Sequence, residues 1–253
     1  MKTLYFDCFS GMSGDMTIGA LLDAGGDPSH LEEELKKLHM DSEYELKWNK
    51  VVKNGITGTK FDVVLAEADH HHEHHHSHGQ HHHHGHRSYK DIVKLIEAAG
   101  FSDEVTNMSL KIFKKIGEAE GKIHGMPLES VHFHEVGAVD SIIDIVGTAI
   151  LIQQMEIDVI KSAHVPVGSG RIHIDHGVYP IPAPATLEIL LGVPIAASEL
   201  KAELTTPTGA AIAAVLADEF CTLPAMKVDA IGYGAGTKTF QDHPNVLRVI
   251  IGE

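Results

Sequence analysis

Basic residues are scarce in this chain: 20 Lys and Arg stand against 35 Asp and Glu in 253 residues, a formal charge of −15. So acidic a balance repels a phosphate backbone, and nucleic acid is not an expected partner. Partial protonation of histidine offsets some of the deficit near neutral pH. Cysteine is scarcer still. Cys8 and Cys221 are the two present, which excludes a disulfide framework. Long apolar runs are missing too: nothing approaches the roughly 18 uninterrupted apolar residues of a membrane span. The start, MKTLYFDCFSG, lacks the basic and then apolar regions of a secretory signal. No membrane partner is expected, and the chain reads as soluble and cytoplasmic. Its 43% hydrophobic content is ordinary for a globular protein. The length allows one large domain or two small ones with a real core.

Histidine is abundant, and unevenly placed. Twelve of 21 fall between residues 70 and 86: His70, His71, His72, His74, His75, His76, His78, His81, His82, His83, His84 and His86. No packed core needs such a run, and imidazole is a preferred ligand of nickel, zinc and copper. Its irregularity and internal position argue against an affinity tag. Residues 69–87 therefore read as a disordered, metal-gathering insertion.

The rest alternates between helical and strand periods. Leu4 to Phe6 reads as a strand entering a glycine turn, Ser10 to Gly14, with Asp15 placed to cap a helix whose face carries Ile18, Leu21 and Leu22. A helix over 28–38 buries Leu31, Leu35 and Leu38 and pairs Glu32 with Lys36 and Glu33 with Lys37. Tyr44, Leu46 and Trp48, then Phe61, Val63 and Leu65, alternate around Asn54-Gly55, a hairpin signal. Ser88 with Asp91 caps a helix ending at Gly100. Longer helices are expected over 102–122 and 140–155, the second apolar nearly all round. Helices over 184–191 and 207–218 and a strand over 246–251 complete a mixed α/β fold, several helices packed on a sheet.

Three segments could carry chemistry. In an extended stretch His132 and His134 share one face, with Glu135 beside them. Asp140 and Asp144 then share one face of the helix that follows. Asp144 is the more suspicious of the two, because a carboxylate in so apolar a helix is costly unless paired or coordinated. Asp140 suits a helix cap equally well. Ala138 stands where a zincin would need its second histidine. In the second segment, Ser10, Gly11, Ser13 and Gly14 form a turn suited to an anion, flanked by Asp7 and Asp15 as candidate metal ligands. A plain turn with a capped helix fits it as well, and Cys8 reads as a small buried residue. The third comprises weak glycine stretches, where Arg171 and Lys238 could touch a phosphate but the motifs fail. His176 to Pro184 reads as rigid and extended.

Taken together, DCFSGMSGDM (7–16), VHFHEVGAVDSIIDIVG (131–147), PVGSGR (166–171), HGVYPIPAPAT (176–186), ELTTPTGAA (203–211) and GYGAGTK (232–238) resemble the LarC family of nickel insertion proteins. The resemblance implies a nickel insertase or chelatase, classed as a lyase. It would cyclometallate pyridinium-3,5-bisthiocarboxylic acid mononucleotide to the nickel-pincer nucleotide used by lactate racemase. CTP, with Mn²⁺ or Mg²⁺, would be consumed to CMP and pyrophosphate. His132, His134, Asp140, Asp7 and Asp15 become candidates for handling nickel, and His134, Glu135 and Asp144 for catalysis. Ser10, Gly11, Ser13, Gly14, Arg171 and Lys238 become candidates for the nucleotide. Family members continue past Asn245 to Arg248 into a CTP-binding portion, so this chain is expected to be the N-terminal portion, shortened or separately translated. Two other functions compete: nickel storage and delivery by the histidine insertion, and a zinc-dependent hydrolase. The subunit count stays open, a homo-oligomer included.

Overall fold

Leu4, Tyr5 and Phe6, each 3% exposed or less, form β1 (Thr3–Asp7) in the middle of a seven-stranded sheet. A computed structural model describes residues 1–66, 87–133, 139–174 and 177–253. The histidine insertion, His134, Glu135 and His176 lie outside the described residues. β1 pairs antiparallel with β11 (Val246–Gly252) and parallel with β4 (Val159–Ser162). Beyond β11 come β10 (Val228–Ala235, antiparallel), β3 (Ile56–Leu65, parallel to β10) and β2 (Tyr44–Lys53, antiparallel). β4 carries β9 (Glu219–Phe220) in parallel on the other edge. Strands β1, β3, β4, β9 and β10 thus run one way, and their C-terminal ends share one edge of the sheet, where ligand sites of α/β folds collect. Two ribbons, β5 (Val165–Pro166) with β8 (Ile195–Ala196) and β6 (Arg171–Ile174) with β7 (Gly177–Pro180), stand apart.

Helix α1 (Gly14–Asp23) crosses β3, β10 and β11. It lies unusually close to β10 because that strand offers no side chains there: a Cβ at Gly234 would overlap the carbonyl of Met16, and one at Gly232 that of Ala20. The stretch that resembles a phosphate loop is therefore, as far as Ala235, a strand whose glycines serve helix packing. Behind α1 sits α5 (Val139–Gln154), in which Ile142, Ile143, Ile145, Val146, Ile150 and Leu151 are all fully buried, as expected of a helix apolar all round. Helices α2 (Pro28–Leu35), α4 (Asp103–His124) and α7 (Pro207–Leu216) pack on it, with α3 (Tyr89–Ala98) and α6 (Pro184–Ile189) against α4. Among the described residues no helix is long and apolar enough to cross a membrane.

Most local expectations hold, including the Ser88–Asp91 capping box, the Ser102 cap and left-handed Asn54 and Gly55 in the hairpin turn. Two do not. The second helix stops at Leu35 and tightens into a 3₁₀ turn, so Lys37 pairs with Glu34 at 2.6 Å instead of Glu33. Asp15 does not cap α1; Ser13 is the N-cap residue. Residues 177–180 are extended, as expected, and their backbone ladders with β6, which satisfies its amides.

Gly234→Ala is expected to destabilise the fold by about 3 kcal/mol, since the added methyl meets helix backbone that cannot rotate away. Thermal melts should show a fall of roughly 6–12 °C.

Candidate functional site

Three helices begin at one cavity. Ser13, Gly14 and Asp15 at the start of α1, Asp140 and Ser141 of α5, and Thr206, Pro207 and Thr208 of α7 line a space of about 300 Å³. Lys60 to Val63 of β3 and Thr237 complete its wall. Each helix start carries backbone N–H groups without helical acceptors and the positive end of the helix dipole.

Short-range chemistry fixes these starts. Pro207 presets the first turn of α7, and Thr206 Oγ1 accepts from Gly209 N at 3.2 Å. Gly11, at φ +92°, turns the chain so that Met12 N donates to Leu204 O (3.2 Å) and Thr206 N donates to Met12 O (3.1 Å). The glycine turn and the start of α7 are thereby one hydrogen-bonded unit. At α1 the Ser13 hydroxyl donates to the Asp15 carboxylate and leaves the helix end uncapped by its own residue. Asp144 reaches across from α5 to the start of α1. Gly14 is the residue that permits this, because a Cβ there would overlap the Asp144 carboxylate.

Asp144 and Lys60 set the electrostatics. Burial, then the charges of Asp15 and Asp140, push the Asp144 carboxyl well above the usual range. Its Oδ1 is sealed from solvent and has no hydrogen-bond partner. Lys60 Nζ donates to Asp15 Oδ2 (2.9 Å), Asp62 Oδ1 (2.6 Å) and Phe61 O (2.8 Å). Burial works against the ammonium, but Asp15 and Asp62 more than offset it and hold its pKa above the ordinary lysine value. The helix starts suit an anion. Among the described residues no three His, Cys, Asp or Glu side chains gather closely enough to hold a metal ion. Asp15 and Asp62 pair with Lys60 instead, and Asp140 Oδ1 accepts the Ser141 N–H at 2.9 Å.

The other candidates are dispersed. Val131 and Phe133 take the buried face, so His132 is exposed, and it forms an isolated bridge with Ser88. Asp7 is paired with Arg248, whose Nε donates to it at 2.7 Å, and lines no part of the cavity. Cys8 is fully buried, its thiol pushed up to about 12 by burial, which rules it out as a ready thiolate. Ser10, also buried, bonds the His243 ring at 2.7 Å beside a second cavity walled by Phe9, His164, Glu199 and His243. Arg171 is exposed on its ribbon, and Lys238 Nζ donates to Glu203 O at 3.1 Å. Glu43 holds both stems of the insertion: Ala66 N donates to its carbonyl (2.9 Å) and Arg87 to its carboxylate (2.6 and 2.9 Å). Lys60 and Asp62 carry no sequence signal, since charges alternating along a strand read as its solvated face.

Because the folded pKa of Asp144 is raised, the native state binds the extra proton, and stability is withdrawn as pH climbs from about 4 toward that raised value. Asp144→Asn keeps the shape of the side chain and deletes the charge. In metal-free thermal melts it should match the parent near pH 4 and exceed it by about 3–6 °C at neutral pH. A uniform loss at every pH would mean that the ionised carboxylate stabilises the fold.

The profile described as "Nickel insertion protein" matches residues 4–253. The pyridinium-3,5-bisthiocarboxylic acid mononucleotide nickel insertion protein of Geobacillus kaustophilus is 56% identical over 256 residues, covering 100% of this chain and 60% of its own length. Proteins of the same name from Clostridium kluyveri and Staphylococcus epidermidis are 51% and 48% identical, covering 100% and 98% of this chain. The chain spans 62% and 59% of their lengths. No solved structure matches it. From residue 4 to its last residue, the chain belongs to the nickel insertion protein family.

Proposed function

We propose that the cavity between the starts of α1, α5 and α7 performs this chain's part of inserting Ni²⁺ into pyridinium-3,5-bisthiocarboxylic acid mononucleotide, forming the nickel-pincer nucleotide. The supporting observation is that three helix N-termini, suited to a phosphate, face the same space as the Asp15, Asp140 and Asp144 carboxylates, oxygen donors that would have to draw together to hold a divalent cation. A mononucleotide that receives nickel needs both. The nickel–carbon bond replaces a ring C–H bond, so a proton must leave. Asp144, which holds a proton more readily than an ordinary carboxylate, accepts it, with Glu135 and His134 as the other candidates from the sequence. The two thiocarboxylates supply softer ligands than aspartate, and that preference drives nickel from protein oxygen to product sulfur. CTP with Mn²⁺ or Mg²⁺, cleaved to CMP and pyrophosphate, belongs in this reading to the longer protein, and lactate racemase receives the product.

The histidine insertion gathers nickel for this site. Glu43 pins its two stems, the strand leading into it (β3) also walls the cavity, and His132 sits beside Ser88 at its far stem. Delivery is thus one half of the function, and a zinc hydrolase gains no support from this arrangement. The test is nickel insertion into the mononucleotide, followed by mass spectrometry, with CTP and the remaining portion of a longer relative supplied. Asp140→Asn and Asp144→Asn should each lower the rate at saturating nickel by about tenfold or more. Deleting residues 70–86 should raise the nickel concentration required and leave the saturated rate intact. Full activity in both aspartate variants, or no activity at any nickel level after the deletion, would refute the assignment.

A further inference from the structure

The second cavity, about 490 Å³, sits where two connections part company. Phe9 follows β1 and His164 follows β4, parallel neighbours in the sheet. From β1 the chain enters α1 and passes over β11, β10 and β3, whereas from β4 it comes back into the sheet at β9, on the opposite side. Folds of this class hold ligands in the crevice that such a divergence opens. The glycine turn separates this space from the first cavity, with Phe9 walling one and Ser13 and Gly14 the other.

Hydrogen-bond accounting says what the crevice can receive. Ser10 Oγ lies 2.5 Å from the Pro244 carbonyl oxygen and 2.7 Å from His243 Nε2. A hydroxyl has one proton and the carbonyl can only accept, so Ser10 donates to Pro244. Nε2 must then carry the imidazole proton and donate to Ser10, which leaves Nδ1 as an acceptor without a bond. Glu199 and His164, exposed in the same wall, form no hydrogen bond or ion pair among the described residues. These groups stand too far apart to hold a metal ion. Among the described residues the wall contains no lysine or arginine, which argues against a phosphate or carboxylate ligand. An acceptor nitrogen, a carboxylate and no fixed cation call instead for a ligand that donates N–H. The shape asks for a ring: Phe9 is 38% exposed, and His243 meets it edge to face at 5.8 Å, so the platform is held without being covered.

We infer that this crevice binds a planar heteroaromatic ring bearing an amino group, as many nucleobases do. The ring stacks on Phe9, and its N–H groups meet Glu199 and His243. The pyridinium mononucleotide is not that ligand, since its ring carries acids and no N–H. The inference thus adds a second small molecule, and it stands whether or not the first cavity inserts nickel.

Isothermal titration of the intact chain with unphosphorylated nucleosides tests it, because no phosphate is then present to engage the helix starts of the first cavity. Two matched pairs differ in one amino group each: adenosine against inosine, and cytidine against uridine. At least one amino nucleoside should bind about ten times or more tightly than its oxo counterpart, whose carbonyl meets the Glu199 carboxylate with no proton to offer. Phe9→Ala should weaken that binding about tenfold through lost stacking. Glu199→Gln offers an amide N–H in place of a carboxylate oxygen and should close the gap within the pair. Both residues are exposed, so both variants should melt as the parent does. Failure of all four nucleosides to bind at millimolar concentration overturns the inference. So does equal binding of amino and oxo partners, or an affinity that neither variant moves.

Discussion

One close approach, of Gly14 to the Asp144 carboxylate, sets the start of α1 against the second turn of α5. With a side chain at position 14 the two helices could not come together as they do. The glycine turn extends the same logic to α7, since its backbone bonds to Leu204 and Thr206 leave that helix start no freedom to drift. The arrangement carries a cost, a carboxylate whose ionised form is disfavoured where it stands. Functional sites commonly accept such local instability in exchange for reactivity.

Acidity at the scale of the whole chain and at the scale of the cavity serve different ends. A charge of −15 keeps polyanions away in general. At the cavity, three helix dipoles act against that background within a few ångströms, where a small anion can still be favoured. In the proposed reading, anion and metal are held by separate components, backbone for one and side chains for the other.

What could be read from the sequence was local. Ser88 with Asp91, Ser102, Thr206-Pro207 and Asn54-Gly55 declare helix starts and a hairpin because the groups that satisfy them lie within a few residues. Asp144 could be singled out because a carboxylate among isoleucines needs a reason, yet its surroundings could not, since Asp15 and Lys60, whose charges act on it, are far away in the chain. Asp7 shows the same limit in reverse: a residue that looks available is consumed by Arg248, 241 positions on. Gly232 and Gly234 mislead, because glycine that admits a helix backbone and glycine that admits a phosphate are the same letter. Lys60 was invisible, since period-two alternation assigns it to solvent and only the arrival of α1 beside β3 converts that face into a wall.

Glu43 fastens the chain on either side of the histidine-rich stretch at a single point. A change in the number of histidines between these two flanks therefore meets one fixed point, and the strands of the sheet need not move to accommodate it.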